Sequence, residues 1–445
     1  MNIFFVSLGC DKNLVDSEVM LGLLSRAGYR IVDEESAADI MVVNTCCFIH
    51  DAKEESIETI LECAQYKQTG RLKVLVVTGC LAQRYQKEIR QEIPEVDVVL
   101  GASSYDAIVE AIEQAFSGEK VEFDKGVDYL PHVKGERLVT TGNYTAYLKI
   151  AEGCNKCCTY CIIPKLRGRY RSVPMEEILE TARQLVANGA VELNLVAQET
   201  TVYGVDLYGK KALPELLQQL CKIEGLQWVR LLYCYPEEIT EELIAVMASE
   251  PKICHYIDMP IQHSEDSVLK RMGRRTSKKE LVAIIERLRS AIPDIAIRTT
   301  LIAGFPGEQE EDYENLYRFV NEMEFDRLGV FPYSQEENTV AAGLPDQIPE
   351  EQKEQRRDEL MELQQAISYE HGEGMIGKVI DVLIEGYLYK EDVYVGRSYK
   401  DAPKVDGEVF VSSPEELLSG RIVKVRITGF KEYDLIGEMM YEFTE

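Results

Sequence analysis

The stretch Ala151-Glu-Gly-Cys-Asn-Lys-Cys-Cys-Thr-Tyr-Cys161 places Cys154, Cys158 and Cys161 in one loop, with the spacing C-x-x-x-C-x-x-C. It directly follows the apolar run Tyr147-Leu-Lys-Ile150. Cysteine thiolate is the usual protein ligand of iron–sulfur clusters, so three thiolates in one loop can hold three irons of a four-iron cluster. The fourth iron would then be free to bind a substrate or a cofactor.

A structural zinc site is the alternative interpretation of this loop. Such a site needs a fourth Cys or His ligand, usually from a second closely spaced pair further along the chain. No such pair follows Cys161, and the next histidine downstream is the distant His255. Zinc binding would therefore depend on a long-range ligand, and we favour the cluster.

Length and composition indicate a multidomain protein of the cytoplasm. A chain of 445 residues corresponds to about three domains. The sequence contains no apolar run near the ~18 residues that a membrane span needs. The opening Met1 to Cys10 ends in Leu-Gly-Cys like a lipoprotein signal, but no Lys or Arg precedes its short apolar run, and a strand explains it as well. Without export, the twelve cysteines belong to a reducing compartment, which favours metal binding or catalysis over disulfides.

The formal net charge of −28 is strongly acidic. Sequence-independent binding to nucleic acid relies on Lys and Arg that neutralise phosphates, so direct nucleic-acid binding is doubtful. A basic partner is more natural. The plain alternative is that the acidity serves solubility alone.

Residues 1–120 are predicted to form an α/β domain. Strand-like apolar runs alternate there with amphipathic helical patterns, which is typical of a parallel sheet flanked by helices. The runs are Asn2 to Ser7, Ile40 to Asn44, Lys73 to Thr78 and Val96 to Leu100.

A cysteine follows each of the first three runs. Cys10 follows the first, Cys46 the second and Cys80 the third. Because the carboxyl ends of parallel strands meet at one edge of a sheet, the three thiols are predicted to form a second triad with a free coordination position. Taken singly, each cysteine would be read as a buried apolar thiol.

Residues 121–140 carry mixed charge, Gly and Pro and are predicted to be a linker. From 141 to 348 the alternation of strands and helices resumes, and it predicts an open or partial barrel of six parallel strands with its chemistry at their carboxyl ends. The predicted strands are Tyr147 to Ala151, Val191 to Val196, Trp228 to Tyr233, Tyr256 to Met259, Ala296 to Ile302 and Leu328 to Tyr333. The cysteine loop leaves the first of them.

A charged helix is predicted over 349–372, and it connects to a last module over 373–445. Short alternating runs separated by Gly, Pro and Asp turns indicate a small all-β barrel there. Such barrels often bind RNA through basic grooves and aromatic side chains. The module has aromatic residues, but from Glu373 onward it has nine Lys or Arg against fifteen Asp or Glu, so the charge that RNA binding needs is missing.

The whole pattern resembles the methylthiotransferases, a family of radical S-adenosylmethionine (SAM) enzymes with two clusters and a terminal TRAM domain. The resemblance covers essentially the entire chain. Besides the cysteine loop it rests on Gly9-Cys10-Asp-Lys-Asn-Leu-Val-Asp-Ser-Glu18, Asn44-Thr-Cys46, Thr78-Gly-Cys80, Leu193-Asn-Leu-Val-Ala-Gln198-Glu199 and Ile302-Ala-Gly-Phe-Pro-Gly-Glu308.

The resemblance implies a partial (β/α)6 radical SAM barrel between an N-terminal methylthiotransferase domain and an OB-like TRAM barrel. It implies one 4Fe-4S cluster on Cys154, Cys158 and Cys161 and an auxiliary 4Fe-4S cluster on Cys10, Cys46 and Cys80. SAM would bind the open iron of the first. Our candidates for holding SAM are Tyr160, Gln198, Glu199, Gly304 and Gly307, although the two glycines could simply end a strand before a helix.

The family's chemistry implies that an external electron donor reduces the first cluster and that SAM is then cleaved to a 5′-deoxyadenosyl radical. The radical abstracts hydrogen from the substrate, and a methylated sulfur carried at the auxiliary cluster is transferred to that carbon. A sulfide source is therefore needed as well. No catalytic residue beyond the cluster ligands is indicated.

Within the family the chain looks most like the branch that modifies the β-carbon of an aspartate in the small-subunit ribosomal protein S-twelve. This likeness is carried by Asp258-Met-Pro-Ile-Gln-His263, by Gly329-Val-Phe-Pro-Tyr-Ser334 with Ala341-Ala-Gly-Leu-Pro-Asp346, and by Gly396-Arg-Ser-Tyr-Lys-Asp-Ala-Pro403 with Glu432-Tyr-Asp-Leu-Ile-Gly437. The acidic terminal module agrees, because ribosomal proteins are basic.

Two other functions remain open at this stage. One is a tRNA methylthiotransferase that acts on a modified adenosine, and the other is an iron–sulfur carrier or electron-transfer protein without a substrate of its own. The sequence also departs from the family pattern. Asp11 stands where the family usually has Pro, Cys47 where it usually has a small residue, and Cys157 adds a fourth thiol to the cysteine loop. The remaining cysteines, Cys63, Cys221, Cys234 and Cys254, are predicted to be core residues.

Overall fold

The structure is a computed structural model that describes residues 1–133 and 137–440. It contains two open sheets of six strands, one closed barrel and a short two-stranded ribbon. Residues 134–136 of the predicted linker and 441–445 of the predicted terminal module lie outside the described residues.

The N-terminal sheet is entirely parallel, with the strand order β2-β1-β3-β4-β5-β6. Its strands are β1 (Asn2–Ser7), β2 (Arg30–Ile31), β3 (Ile40–Thr45), β4 (Val74–Gly79), β5 (Val98–Leu100) and β6 (Val121–Phe123). Its helices are α1 (Asp11–Arg26), α2 (His50–Thr69), α3 (Cys80–Arg84), α4 (Gln86–Glu92) and α5 (Ile108–Ala115).

The central strands of this sheet are buried along their whole length, which explains why both begin with four consecutive apolar residues. Every residue of β3 and β4 is buried, as expected for a parallel sheet covered on both faces. The short edge strands β2 and β6 were not predicted. Because β6 pairs with β5, the sheet includes Val121 to Phe123, the first three residues of the predicted linker.

The central sheet is also parallel throughout, in the order β14-β13-β12-β11-β10-β7. Its strands are β7 (Thr145–Lys149), β10 (Glu192–Val196), β11 (Trp228–Leu231), β12 (Ile253–Asp258), β13 (Ala296–Ala303) and β14 (Arg327–Pro332). Strands β8 (Ala151–Glu152) and β9 (Arg171–Ser172) form the antiparallel ribbon beside the cysteine loop. The predicted partial barrel of six parallel strands is confirmed.

Helices follow the strands of this sheet. They are α6 (Ile163–Arg167), α7 (Met175–Ala187), α8 (Val205–Tyr208), α9 (Leu213–Cys221), α10 (Glu241–Ser249), α11 (Asp266–Arg271), α12 (Lys278–Ala291) and α13 (Glu310–Met323). Short 3₁₀ turns lie at Glu35–Ala37, Tyr105–Ala107, Pro236–Glu238 and Ala341–Gly343.

Helix α14 (Glu350–Glu373) leads to a closed five-stranded barrel in the order β15-β16-β17-β19-β18. The strands are β15 (Val379–Leu388), β16 (Val393–Ser398), β17 (Val409–Ser412), β18 (Ile422–Lys431) and β19 (Asp434–Met439). The predicted small all-β barrel is confirmed, although β19 was not predicted as a strand.

One buried cluster contains residues of all three units. Val15 of α1 and Ala402 of the C-terminal barrel pack with Trp228 and Tyr256 of the central sheet. The chain's single tryptophan therefore lies at the junction of the three units. Across the described ranges, no helix has both the length and the apolar character that a membrane span requires.

Candidate active site

The cysteine loop is held in a defined shape by backbone hydrogen bonds. Cys154 donates its N–H to the carbonyl of Gly168, and Thr159 donates to the carbonyl of Met272. Gly153 has φ +80°, and a Cβ there would lie 2.1 Å from the carbonyl oxygen of Arg169, so only glycine fits. The loop is therefore fixed between the β8–β9 ribbon and the segment after α11.

Two thiols of this loop, Cys154 and Cys161, are difficult to ionise. Burial, together with nearby negative groups, raises the pKa of Cys154 to about 11 and that of Cys161 to about 12. Two of the sulfurs accept hydrogen bonds from backbone N–H groups. The Lys156 N–H donates to Cys154 Sγ and the Ile163 N–H donates to Cys161 Sγ, each at 3.4 Å. Amide donors and nearby thiols suit thiolates that share a positively charged metal centre, which would favour their ionised form.

The three N-terminal cysteines lie at one edge of the first sheet, as predicted. Cys10 is the N-cap of α1 after β1, Cys46 directly follows β3, and Cys80 begins α3 after β4. These three strands are neighbours in the sheet. Cys10 is exposed, whereas Cys46 and Cys80 are buried.

Close contacts bring the three cysteines together. A Cβ on Gly9, which has φ +86°, would lie 2.7 Å from Cys46 Cβ and 3.0 Å from Cys46 Sγ, so the backbone before Cys10 lies directly on Cys46. Burial raises the pKa of Cys46 to about 12, and the neighbouring Cys80 and Cys10 contribute. The thiol of Cys80 lies 3.9 Å from Asn13 Oδ1.

A buried ion network connects this triad to the central domain. The Arg167 guanidinium donates to Asp16 at 2.8 Å, to Glu152 at 3.3 Å and to Asn13 Oδ1. Lys149 bonds the same two carboxylates, Asp16 and Glu152. Burial opposes ionisation of Glu152, but Lys149 and Arg167 outweigh it and lower the pKa of Glu152 to about 2.

Gln198 and Glu199, two candidates for SAM, lie at the carboxyl end of β10. Gln198 donates to Glu152 at 2.6 Å, and Glu199 accepts from the Thr201 N–H at 3.1 Å. Among the described residues, Gln198 Oε1 and Glu199 Oε2 are buried without a hydrogen-bond partner. Burial raises the pKa of Glu199 to about 7. Two unpartnered acceptors beside the cysteine loop fit a ligand that brings an ammonium group.

The structure explains Gly304 and Gly307 by packing. Both have positive φ, and a Cβ would lie 2.4 Å from Lys353 Cγ at Gly304 and 1.6 Å from Arg271 Nη1 at Gly307. Glu308 accepts from the N–H groups of Gly304 and Phe305 and so closes the turn. This turn reaches the cysteine loop through Phe305, whose ring lies 6.4 Å from that of Tyr160, centroid to centroid.

Sequence reasoning missed Tyr235 and Arg274 on the other side of the loop. The Tyr235 hydroxyl lies 3.7 Å from Cys158 Sγ, and the Arg274 guanidinium lies 4.3 Å from the Tyr235 ring centroid. Both line a cavity of about 40 Å³ together with Lys156 and Cys158. Nε and Nη1 of Arg274 are buried without a partner among the described residues, as a site for a carboxylate would require. A buried arginine in Met272-Gly-Arg-Arg-Thr276 looks like a surface charge in sequence.

The additional cysteines differ in their surroundings. Cys157 is exposed, whereas Cys47 is fully buried beside Cys80 and Cys46. Cys63, Cys221, Cys234 and Cys254 are buried core residues. Within the described residues, no three His, Cys, Asp or Glu side chains form a group that could hold one metal ion. Ligands of a multi-iron cluster each bind a different iron, so they need not converge on one point.

Family comparisons divide the chain as the fold does. Residues 2–101 match the family described as uncharacterized protein family UPF0004, residues 148–320 match the radical SAM superfamily, and residues 376–440 match the TRAM domain.

Two solved structures share the fold of most of the chain. The radical SAM methyltransferase TsrM from Kitasatospora setae is 13% identical, with a TM-score of 0.55 over 74% of this chain and 72% of that chain. The cobalamin-dependent radical enzyme OxsB is 14% identical, with a TM-score of 0.50 over 82% of this chain and 56% of that chain. These two likenesses concern the fold alone. The chain is a radical SAM enzyme.

Full-length relatives identify the family more narrowly. The ribosomal protein uS12 methylthiotransferase RimO of Lachnoclostridium phytofermentans is 62% identical over 98% of this chain and 99% of its own length. The RimO proteins of a Thermoanaerobacter species and of Clostridioides difficile are 51% and 49% identical, over 98% and 99% of this chain and 99% of their own lengths. The chain belongs to the RimO family of ribosomal protein uS12 methylthiotransferases.

Proposed function

We propose that this protein methylthiolates the β-carbon of an aspartate in ribosomal protein uS12, the S-twelve protein of the small subunit. The observation that carries the proposal is the pair of cysteine triads joined by one buried network, in a chain 62% identical to a uS12 methylthiotransferase over its full length. The chain's charge of −28 suits a basic ribosomal protein as the substrate.

Each triad would hold a 4Fe-4S cluster. Cys154, Cys158 and Cys161 would bind the radical SAM cluster, and the auxiliary cluster would be bound by Cys10, Cys46 and Cys80. When bound, these groups and SAM supply a 5′-deoxyadenosyl radical, a methyl group and a sulfur atom. An external electron-donor protein and a sulfide source complete the requirements.

The chain's own residues would bind and orient SAM. The unpartnered oxygens of Gln198 and Glu199 can accept from its ammonium group, and the free N–H groups of Arg274 can donate to its carboxylate. The ring of Tyr160 packs against Phe305 at one side of this space. Gly304 and Gly307 contribute the turn that places Phe305. Buried apolar walls around such a site exclude water from a radical.

Mass spectrometry tests the substrate. Anaerobically reconstituted protein is incubated with SAM, sulfide and dithionite, and with either purified uS12 or bulk tRNA. We expect a methylthio mass gain on one aspartate of uS12 and none in the tRNA hydrolysate. A gain on tRNA alone would contradict the proposed substrate, and the absence of SAM cleavage would point to an iron–sulfur carrier.

The ligand assignment needs a separate test, because Cys47 and Cys157 lie beside the proposed ligands. Alanine at any one of the six triad cysteines is expected to lower the iron content from about eight to about four per chain. Cys157→Ala is the matched control and should keep about eight. Loss of iron in the control, or full iron in a triad variant, would overturn the assignment.

A further inference from the structure

Helix α6 (Ile163–Arg167) lies between the two cysteine triads and contacts both. At its start, the Ile163 N–H donates to Cys161 Sγ at 3.4 Å. At its end, Arg167 donates to Asn13 Oδ1, the atom that lies 3.9 Å from Cys80 Sγ. Five helical residues rise about 7.5 Å, so one short element connects Cys161 of one triad to the surroundings of Cys80 in the other.

The apolar face of this segment is embedded in the N-terminal domain. Ile162 and Leu166 are 3% exposed and belong to the same buried cluster as Cys47, Cys80 and Leu81. In the chain, however, these two residues follow the cysteine loop of the central domain. The position of α6 is therefore fixed by the core of one domain and by the cysteine loop of the other.

Arg167 belongs to a buried network in which the numbers of positive and negative charges are equal. The side chains of Arg167 and Lys149 are 2% and 7% exposed, and they face two equally buried carboxylates, Asp16 and Glu152. Two cations against two carboxylates leave no uncompensated charge, and such a network restricts the guanidinium to one orientation. That orientation directs Nη2 towards Asn13 and the neighbouring Cys80.

Arg167 and the thiol of Cys80 share one neighbour, the side chain of Asn13. Asn13 Oδ1 accepts from Arg167 Nη2 and lies 3.9 Å from Cys80 Sγ, so the guanidinium is held beside this sulfur. Hydrogen bonds to cluster sulfurs are among the factors that set cluster reduction potentials. Groups behind the ligands also orient them and tune the metal.

We propose that α6 is a strut that fixes the relative position of the two cysteine triads, and that Arg167 is the positioning residue that attaches it to the auxiliary triad. This inference rests on the proposed function in taking each triad to hold a cluster. Group transfer between two centres depends on their alignment to within about 1 Å. Arg167 would therefore serve the reaction without touching the substrate.

The first test reads the auxiliary cluster alone, in a protein whose Cys154, Cys158 and Cys161 are all alanine. Reduction potentials are measured by electron paramagnetic resonance for this background and for added Arg167→Met, Arg167→Lys and Arg169→Met. Removing a donor and a positive charge beside a sulfur disfavours the reduced cluster, so we expect a lower potential for Arg167→Met. Arg167→Lys keeps a positive charge, so its potential should lie between those of the background and of Arg167→Met. Arg169 is exposed, and Arg169→Met should have the same potential as the background. Equal potentials in all four proteins would overturn the proposal.

A second variant controls for misfolding. Arg167→Met leaves the buried carboxylate of Asp16 without its guanidinium partner and could destabilise the fold. Asp16→Asn combined with Arg167→Met removes one charge of each sign and keeps the pair of Lys149 and Glu152. We expect this double variant to show the same lowered potential, or to lose the auxiliary iron, at an unchanged unfolding temperature. A wild-type potential and wild-type iron content would contradict the role of Arg167.

Turnover gives an independent measurement in the protein with both clusters. In Arg167→Met we expect more 5′-deoxyadenosine per methylthiolated uS12 than in the wild type, because misaligned centres uncouple radical formation from transfer. An unchanged ratio would count against the strut. Failure of the wild type to modify uS12 would refute the substrate instead, while the potentials would still decide the role of Arg167.

Discussion

The Tyr233 hydroxyl donates a hydrogen bond to the Asp11 carboxylate at 3.1 Å. Tyr233 lies just after β11 in the central domain and has φ +60°, which is unusual for a tyrosine. Asp11 is the first residue of α1, next to Cys10. The Lys12 ammonium lies 3.2 Å from the Tyr233 ring centroid. The central domain thus contacts the neighbourhood of the auxiliary triad at two places, next to Cys10 through Tyr233 and near Cys80 through Arg167.

Asp11→Pro, which introduces the residue usual in the family, tests this contact. Proline fits the first position of a helix, so α1 should form. The half-buried Tyr233 hydroxyl would lose its partner, at a cost of about 1 kcal/mol in the free energy of unfolding. Denaturant unfolding followed by Trp228 fluorescence measures this change, because Trp228 lies in the same buried cluster.

Tyr233→Phe and the double variant complete the cycle. With phenylalanine at 233, the proline substitution should cost much less, because no hydroxyl is left without a partner. Equal costs in both backgrounds would show that the hydrogen bond contributes nothing.

Gly9→Ala should remove the auxiliary cluster selectively. Its Cβ would collide with Cys46, whereas the same change at Gly28, with nearly the same φ of +85°, meets no atom within 4 Å. Gly28→Ala therefore carries the same backbone strain without the collision. We expect the iron content to fall from about eight to about four per chain for Gly9→Ala and to stay near eight for Gly28→Ala. Equal iron contents would refute the position given to Cys46.

Glu192 stabilises the contact between the central sheet and the C-terminal barrel. Its carboxylate binds Arg397 at 2.6 Å and Arg230 at 3.1 Å, and all three side chains are buried. Glu192→Gln leaves the buried Arg230 without its carboxylate partner, while Arg397 keeps Glu385 at 2.9 Å. We expect the free energy of unfolding to fall by about 3 kcal/mol at pH 7. Exposed Glu180→Gln is the control. Urea unfolding monitored by Trp228 fluorescence measures both variants.

The effect of Glu192 should depend on pH. Burial opposes ionisation, but Arg397 and Arg230 lower its pKa from the ordinary 4.5 to about 2. Its stabilising contribution is therefore complete above pH 4.5 and is lost as the pH falls towards 2. The difference between the wild type and Glu192→Gln should shrink across this range. A constant difference would contradict the assignment.

Glu199 should have the opposite pH dependence. Burial raises its pKa from 4.5 to about 7, so the folded protein retains a proton that the unfolded chain has lost between these values. Stability from this group falls as the pH rises from 4.5 to 7. Glu199→Gln removes the cost of ionising a buried carboxyl group. In the protein without cofactors, the difference in the free energy of unfolding between this variant and the wild type should grow by about 2–4 kcal/mol, in favour of the variant, from pH 4.5 to pH 7. Thermal unfolding at several pH values measures the gain, and exposed Glu242→Gln should show none.

The sequence was sufficient to predict where the cysteines lie, because each follows a continuous apolar run and parallel strands end at a common edge. Strands β2 and β6 have only two and three residues, too few to show a pattern. The choice of Gly304 and Gly307 as SAM candidates stays a prediction, and their contacts with Lys353 and Arg271 give a second reason for glycine at both positions. A turn and a ligand site can share one sequence pattern.

Partners distant in the chain account for what the sequence could not predict. Arg167 and Asp16 are 151 residues apart, and Arg397 and Glu192 are 205 apart. In the sequence these residues are ordinary surface charges. The stretch from Gly396 to Pro403, chosen as a mark of the family branch, attaches the C-terminal barrel through Arg397 and Asp401. Only tertiary packing reveals that role.

Transfer of deuterium from the substrate to 5′-deoxyadenosine tests the central claim most directly. uS12 labelled with deuterium at the β-carbons of aspartate is incubated with the reconstituted protein, SAM, sulfide and dithionite, and both products are analysed by mass spectrometry. Our account predicts 5′-deoxyadenosine carrying one deuterium and a methylthiolated aspartate that has lost one. Unlabelled 5′-deoxyadenosine beside unmodified uS12 would contradict it.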